Sequence, residues 1–142
     1  RESAAYRAGI EAVCADTPWG RMGLSICYDL RFPHLYQKLA DMGADILLVP
    51  AAFTHVTGKD HWHVLNRARA IETGCFVIAC CQCGHHADGR HTYGHSLVVN
   101  PWGKIVAEAD EQPKLLQASL DLREIARVRG MIPSVQNRSD IL

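Results

Sequence analysis

The stretch from Arg21 to Pro50 constrains this chain more than any other. Met22, Leu24 and Ile26, with small residues between them, read as a short buried strand. Leu35, Leu39 and Met42 then fall on one stripe of a helix that stops at Gly43, with Gln37, Lys38 and Asp41 away from it. Asp45-Ile46-Leu47-Leu48-Val49-Pro50 follows as a fully buried strand. Strand, helix and strand within ~30 residues form a βαβ unit, which requires parallel pairing and a right-handed crossover. The fold class is therefore α/β.

In sheets of this kind the working loops sit at the carboxyl ends of the strands, so Cys27 and the segment 51–57 should come together. Cys27 stands where the first strand turns sharply into the helix, and Asp29 is placed to cap a helix starting near Leu30 to Pro33. A thiolate at such an elbow can attack a carbonyl carbon, and the oxygen that becomes negative then needs donors aimed at it. The N–H of Tyr28 is the natural candidate. The same residue also reads as a small apolar side chain ending a core strand, which is what most unpaired cysteines are. Arg31, one helical turn on, either faces the same cleft, where its fork suits a substrate carboxylate, or pairs with a neighbouring acid. Phe53 suits an acyl-site wall or core packing, and Thr57 suits a hydrogen-bond donor or a turn cap.

The remaining pattern is more conventional. Residues 11–27 read as two strands joined by the turn Asp16-Thr17-Pro18-Trp19-Gly20. His61 to Thr73 is a predicted helix stopped by Gly74, with Arg67, Arg69 and Glu72 as ion-pairing groups, and residues 75–80 form a buried strand. A polar loop from Cys81 to His91 follows. Tyr93 to Asn100 and Lys104 to Ala109 flank Asn100-Pro101-Trp102-Gly103 as a hairpin, Leu115 to Leu120 is the last expected strand, and Asp121 caps a helix over 122–129. Cys80-x2-Cys83 followed by His91-x3-His95 has the ligand types of a zinc knuckle, yet only seven residues separate the pairs.

Fifteen basic and fifteen acidic residues cancel, with no basic run longer than two, which argues against a nucleic-acid or anionic-membrane surface. The longest apolar run, 46–53, is far too short to span a bilayer. Six cysteines are unevenly spread and include the adjacent pair Cys80-Cys81, a pattern that fits reduced thiols in the cytoplasm better than a disulfide framework.

The run Gly23-Leu24-Ser25-Ile26-Cys27-Tyr28-Asp29-Leu30-Arg31-Phe32-Pro33 closely resembles the cysteine motif of the nitrilase superfamily, the carbon–nitrogen hydrolases. Pro50-Ala51-Ala52-Phe53, His61-Trp62 with Arg67-Ala68-Arg69-Ala70-Ile71-Glu72, and Tyr93-Gly94-His95-Ser96 with Asn100-Pro101-Trp102-Gly103 match in the family's order. The resemblance implies part of a four-layer αββα nitrilase-like sandwich, with Cys27 as nucleophile and Glu2, in a Glu-Ser pair, in the active site. It implies a base Glu and an oxyanion Lys upstream of the cysteine, whereas no Lys precedes Lys38. Residues 1–142 are thus expected to be the C-terminal portion of a domain of roughly 250 residues, and inactive alone.

The implied reaction is cleavage of a small linear amide through a Cys27 thioester, with no metal and no organic cofactor, in a cytoplasmic homodimer or higher oligomer joined through the tail 134–142. Within the family the chain is most similar to amidases of deaminated glutathione, then to ω-amidases acting on dicarboxylate monoamides, which it resembles at Arg31, Phe53 and Thr57. His63 departs from many relatives, which carry Glu there. An inactive scaffold fragment and a small zinc-binding module are the alternatives from other classes.

Overall fold

The computed structural model describes residues 5–139. The chain opens with an antiparallel hairpin of β1 (Val13–Thr17) and β2 (Gly20–Leu24), in which Thr17 faces Gly20 across the turn. The Thr17 hydroxyl donates to Gly20 O at 2.6 Å and accepts from the Trp19 N–H at 3.2 Å. A 3-10 turn over Cys27–Arg31 leads into α1 (Pro33–Asp41), where Pro33 at the first helical position needs no amide partner. Then come β3 (Ile46–Leu48), α2 (His55–Thr73) and β4 (Phe76–Ala79). Because β2, β3 and β4 pair in parallel, two consecutive βαβ units form the centre of the sheet.

A two-stranded ribbon of β5 (Cys83–His85) and β6 (His91–Tyr93) stands apart from the main sheet. The chain returns as the antiparallel pair β7 (Leu97–Val99) and β8 (Ile105–Glu108), with a register shift between Val98 and Val99, and ends in α3 (Arg123–Met131). The six-stranded order is β1-β2-β3-β4-β7-β8. Tyr36 and Leu39 of α1 and Trp62 and Ala70 of α2 bury one face against Leu47, Val77 and Val99, all fully inaccessible. Burying each of the larger of these side chains contributes about 1.5–3 kcal/mol. On the opposite face Ile46 and Phe76 meet Ile125 of α3, with Leu120 and Leu122 packed alongside.

Three expectations are corrected. Helix α2 begins at His55, six residues before the predicted start, because Thr54 holds the extended N-cap position and Gly58 admits the Tyr93 ring. The polar loop after Cys81 contains the β5–β6 ribbon. Residues 115–120 join no ladder; they run across the sheet face beside Ile78 and Val98. Among the described residues no helix is long and apolar enough to cross a membrane.

Candidate active site

Beyond its last ladder residue, β2 continues to track β3. The Ser25 N–H donates to Leu48 O at 3.2 Å and the Cys27 N–H to Pro50 O at 2.8 Å. At Cys27 the backbone then turns into the left-handed region, φ 46°, one of two non-glycine residues with positive φ among those described. Such a conformation costs a side-chain-bearing residue of order 1–3 kcal/mol and persists only where its surroundings over-determine it. The surroundings here are specific. Asp29 does not cap α1. Its carboxylate instead accepts the Ile26 N–H at 2.9 Å, while the Asp29 N–H donates to Ile26 O at 3.0 Å, closing the turn on both sides of Cys27. The Ser25 hydroxyl bonds Leu48 O at 2.8 Å and accepts from Tyr36 OH at 2.8 Å.

The far end of the turn is held by a buried cation. Arg69 donates two hydrogen bonds to Leu30 O, at 3.1 and 2.8 Å, lies over the Tyr36 ring and pairs with Glu72 at 3.0 Å. Arg69 and Glu72 thus form the expected ion pair, while Arg67 donates to Gly103 O at 2.7 Å. Cys27 is half-buried, and the Tyr28 N–H is among the first-turn amides that a short helix leaves without an internal acceptor.

Arg31 and Phe53 are brought together as expected from the topology. The Arg31 guanidinium lies 5.1 Å from the Phe53 ring centroid and 5.6 Å from that of Tyr28, with Nη1 3.1 Å from His61 Nδ1. Among the described residues it makes no ion pair with an acid. Phe53 is buried, and its ring tilts against Trp62 at 5.1 Å. Thr57 lies in the first turn of α2, not in a loop, and its hydroxyl shares a 2.7 Å hydrogen bond with that of the N-cap residue Thr54, which makes no side-chain capping bond. Glu2 lies outside the described residues. Beside the elbow, a groove is lined by Leu24, Ile26, Asp29, Phe32 and the segment 6–12.

Residues with no assigned role in the sequence also converge here. Cys81 follows β4, pairs by its backbone with Ala51 and is buried; burial pushes its thiol up, against the lowering effect of the Phe53 and Gly94 N–H groups. Tyr36 is pushed up to about 12, mainly by burial. Neither shows a sequence signal beyond hydrophobic spacing. The zinc-knuckle reading finds no support: Cys80 is exposed, and among the described residues no cluster of three or more ligand groups includes a cysteine.

The sequence pattern of the family described as carbon-nitrogen hydrolase matches residues 1–130. The chain belongs to the carbon-nitrogen hydrolase family. A deaminated glutathione amidase of Synechocystis is 51% identical over 139 residues, covering 96% of this chain and 51% of that enzyme. A crystal structure of Saccharomyces cerevisiae Nit3, of branch 10 of the nitrilase superfamily, superposes with a TM-score of 0.87 at 42% identity, over 93% of this chain and 49% of that one. A mutant amidase of Nesterenkonia, with an acetamide moiety covalently added at its active-site cysteine, superposes with a TM-score of 0.80 at 29% identity, over 96% and 48%. This carbon-nitrogen hydrolase chain thus spans about half the length of the proteins it matches, and its α/β architecture is that of the nitrilase superfamily.

Proposed function

We propose that this chain is the C-terminal portion of an amidase that cleaves a small linear amide, deaminated glutathione or a similar ω-amide, with Cys27 as nucleophile. The observation that carries the reading is the left-handed backbone at Cys27, closed by Asp29 and Arg69 within the motif the sequence shares with carbon–nitrogen hydrolases. The cysteine adduct in the Nesterenkonia amidase supports the same chemistry.

In this mechanism the Cys27 proton passes to a carboxylate base and Sγ bonds to the amide carbon. The oxygen, now negative, accepts the Tyr28 N–H. One such donor contributes about 3 kcal/mol to the transition state. The base returns its proton to the leaving nitrogen, ammonia departs, and water activated by the same base hydrolyses the thioester and restores the thiol. Glu2 belongs to the site, while the base Glu and the oxyanion Lys come from upstream sequence. Arg31, held over Phe53 and, among the described residues, without an acidic partner, binds the substrate's terminal carboxylate. The working protein is a cytoplasmic homodimer or higher oligomer.

The test is ammonia release by the longer protein that contains this chain, with deaminated glutathione and α-ketoglutaramate as substrates. Turnover that disappears in Cys27→Ala, with a mass increment on Cys27 under acid quench, is expected. Turnover persisting in Cys27→Ala overturns the assignment, and no turnover of any amide favours the inactive scaffold.

A further inference from the structure

Five of the eight histidines converge between the N-terminal half of α2, the β5–β6 ribbon and the end of β8. The rings of His85, His91, His55, Tyr93, His95 and His63 follow one another in contact. Two groups of three possible ligand atoms result, His63 with His95 and Glu108, and His55 with His91 and Glu111, each within 4.8 Å. We propose that His63, His95 and Glu108 bind a divalent transition metal of the zinc class, which clamps α2 to β8.

Glu108 Oε1 already sits 2.6 Å from His63 Nε2 and 3.2 Å from His95 Nδ1. Tetrahedral zinc with ligand bonds of about 2.0–2.1 Å separates its ligand atoms by about 3.3 Å, so the His95 pair is at ligand spacing and the His63 pair needs to open by less than an ångström. A metal would replace the protons now shared in these hydrogen bonds. The ring planes of His63 and His95 cross at 65°, so that their in-plane lone pairs can converge on one point. Those of His55 and His91 are stacked at 12° and 4.1 Å, which keeps their lone pairs side by side, and this sets the second group apart.

Ligation through Nδ1 requires His95 to carry its proton on Nε2. That nitrogen faces Glu111 Oε1 at 3.7 Å, the carboxylate that in metal sites fixes the tautomer and orients the ring. Imidazole and carboxylate donors in a two-to-one set suit zinc, and the three protein ligands leave a fourth position for water. His63 and His95 are about a quarter exposed and Glu108 is 37% exposed, so a hydrated ion can reach them. The His95 backbone O accepts the Trp62 indole N–H at 2.8 Å, and Trp62 packs on Phe53. A metal here would therefore brace Trp62 and, through it, Phe53.

The test is calorimetric titration of the chelator-treated full chain with zinc chloride, with X-ray absorption on the zinc-loaded protein. One equivalent is expected at micromolar affinity or tighter, with imidazole and oxygen scatterers and no sulfur. His63→Ala and Glu108→Ala, each checked for a native circular dichroism spectrum, should weaken binding about a hundredfold, and Glu111→Gln about tenfold. Cys80→Ser and His91→Ala should leave it unchanged. Binding only at millimolar zinc, sulfur in the coordination sphere, or affinity that survives His63→Ala overturns the proposal, and the wild-type absorption measurement decides it even if a variant fails to fold.

Discussion

At the scale of single residues, the six thiols are sorted by their surroundings. Cys75 is buried with Sγ 3.1 Å from Ala44 O and 3.1 Å from Arg129 Nη2, and burial pushes its thiol up despite the hydrogen bonds from Thr73 and Arg129. Cys81 is shifted the same way by burial. Because the thiolate is the reactive species, iodoacetamide near neutral pH should label Cys27 and the exposed Cys80 and spare Cys75 and Cys81, as read by peptide mass spectrometry. Labelling of Cys75 as fast as Cys80 would contradict this packing. Tyr36 supplies a pH prediction. Its hydroxyl is raised from 10 to about 12, so the unfolded chain loses this proton first. The stability it contributes is intact below pH 10 and lost as pH rises to 12, by about 3 kcal/mol. Denaturant titrations of wild type and Tyr36→Phe should show the alkaline loss shallower in the variant.

At the scale of elements, α2 carries the most interactions that its own sequence does not announce. Its buried positions are Gly58, Trp62, Asn66, Arg69, Ala70 and Thr73, and three of these are polar or charged. A Cβ at Gly58 would run into Tyr93 Cβ and Cγ. Gly58→Ala should therefore destabilise by about 1–2 kcal/mol, the overpacking cost outweighing the gain in helix propensity. Thermal melts check this, and a stabilised variant would mean that Tyr93 moves aside freely. Arg69→Lys keeps the charge but loses the fork that grips Leu30 O twice, and should cost about 2 kcal/mol. In the longer protein the same change should lower ammonia release, because Leu30 belongs to the turn that holds Cys27.

At the scale of the molecule, the two faces of the sheet are unequal. Two helices close one face, whereas among the described residues the other has only α3 and the segment 116–122 against it. Ile26, Tyr28 and Phe32 are exposed beside the elbow, and β1 and β8 are sheet edges. Exposed apolar surface and open edges favour association. The isolated chain should therefore elute above its monomer mass of 15.7 kDa in size-exclusion chromatography with light scattering, and release no ammonia from either amide. A monomer with measurable turnover would overturn both the association and the dependence on upstream residues.

The amino-acid sequence by itself determined the local geometry. Alternating, helical and continuous apolar patterns placed β2, α1, β3 and β4, and Pro-Trp-Gly turns placed two of the three hairpins, because these signals act between residues a few positions apart. Cys27 was legible as an elbow residue for the same reason, and the shared motif named its family. Only tertiary structure decided that Asp29 turns back to Ile26, that Arg31 rests on Phe53 beside His61, and that Thr57 is spent on Thr54. It alone brought His63, His95 and Glu108 together from α2, the chain after β6 and β8. Which side chain folds back on its own turn, and which groups from separate elements meet, as His63 and Glu108 do 45 positions apart, leaves no periodic trace along a chain; the core, once packed, fixes which surfaces meet.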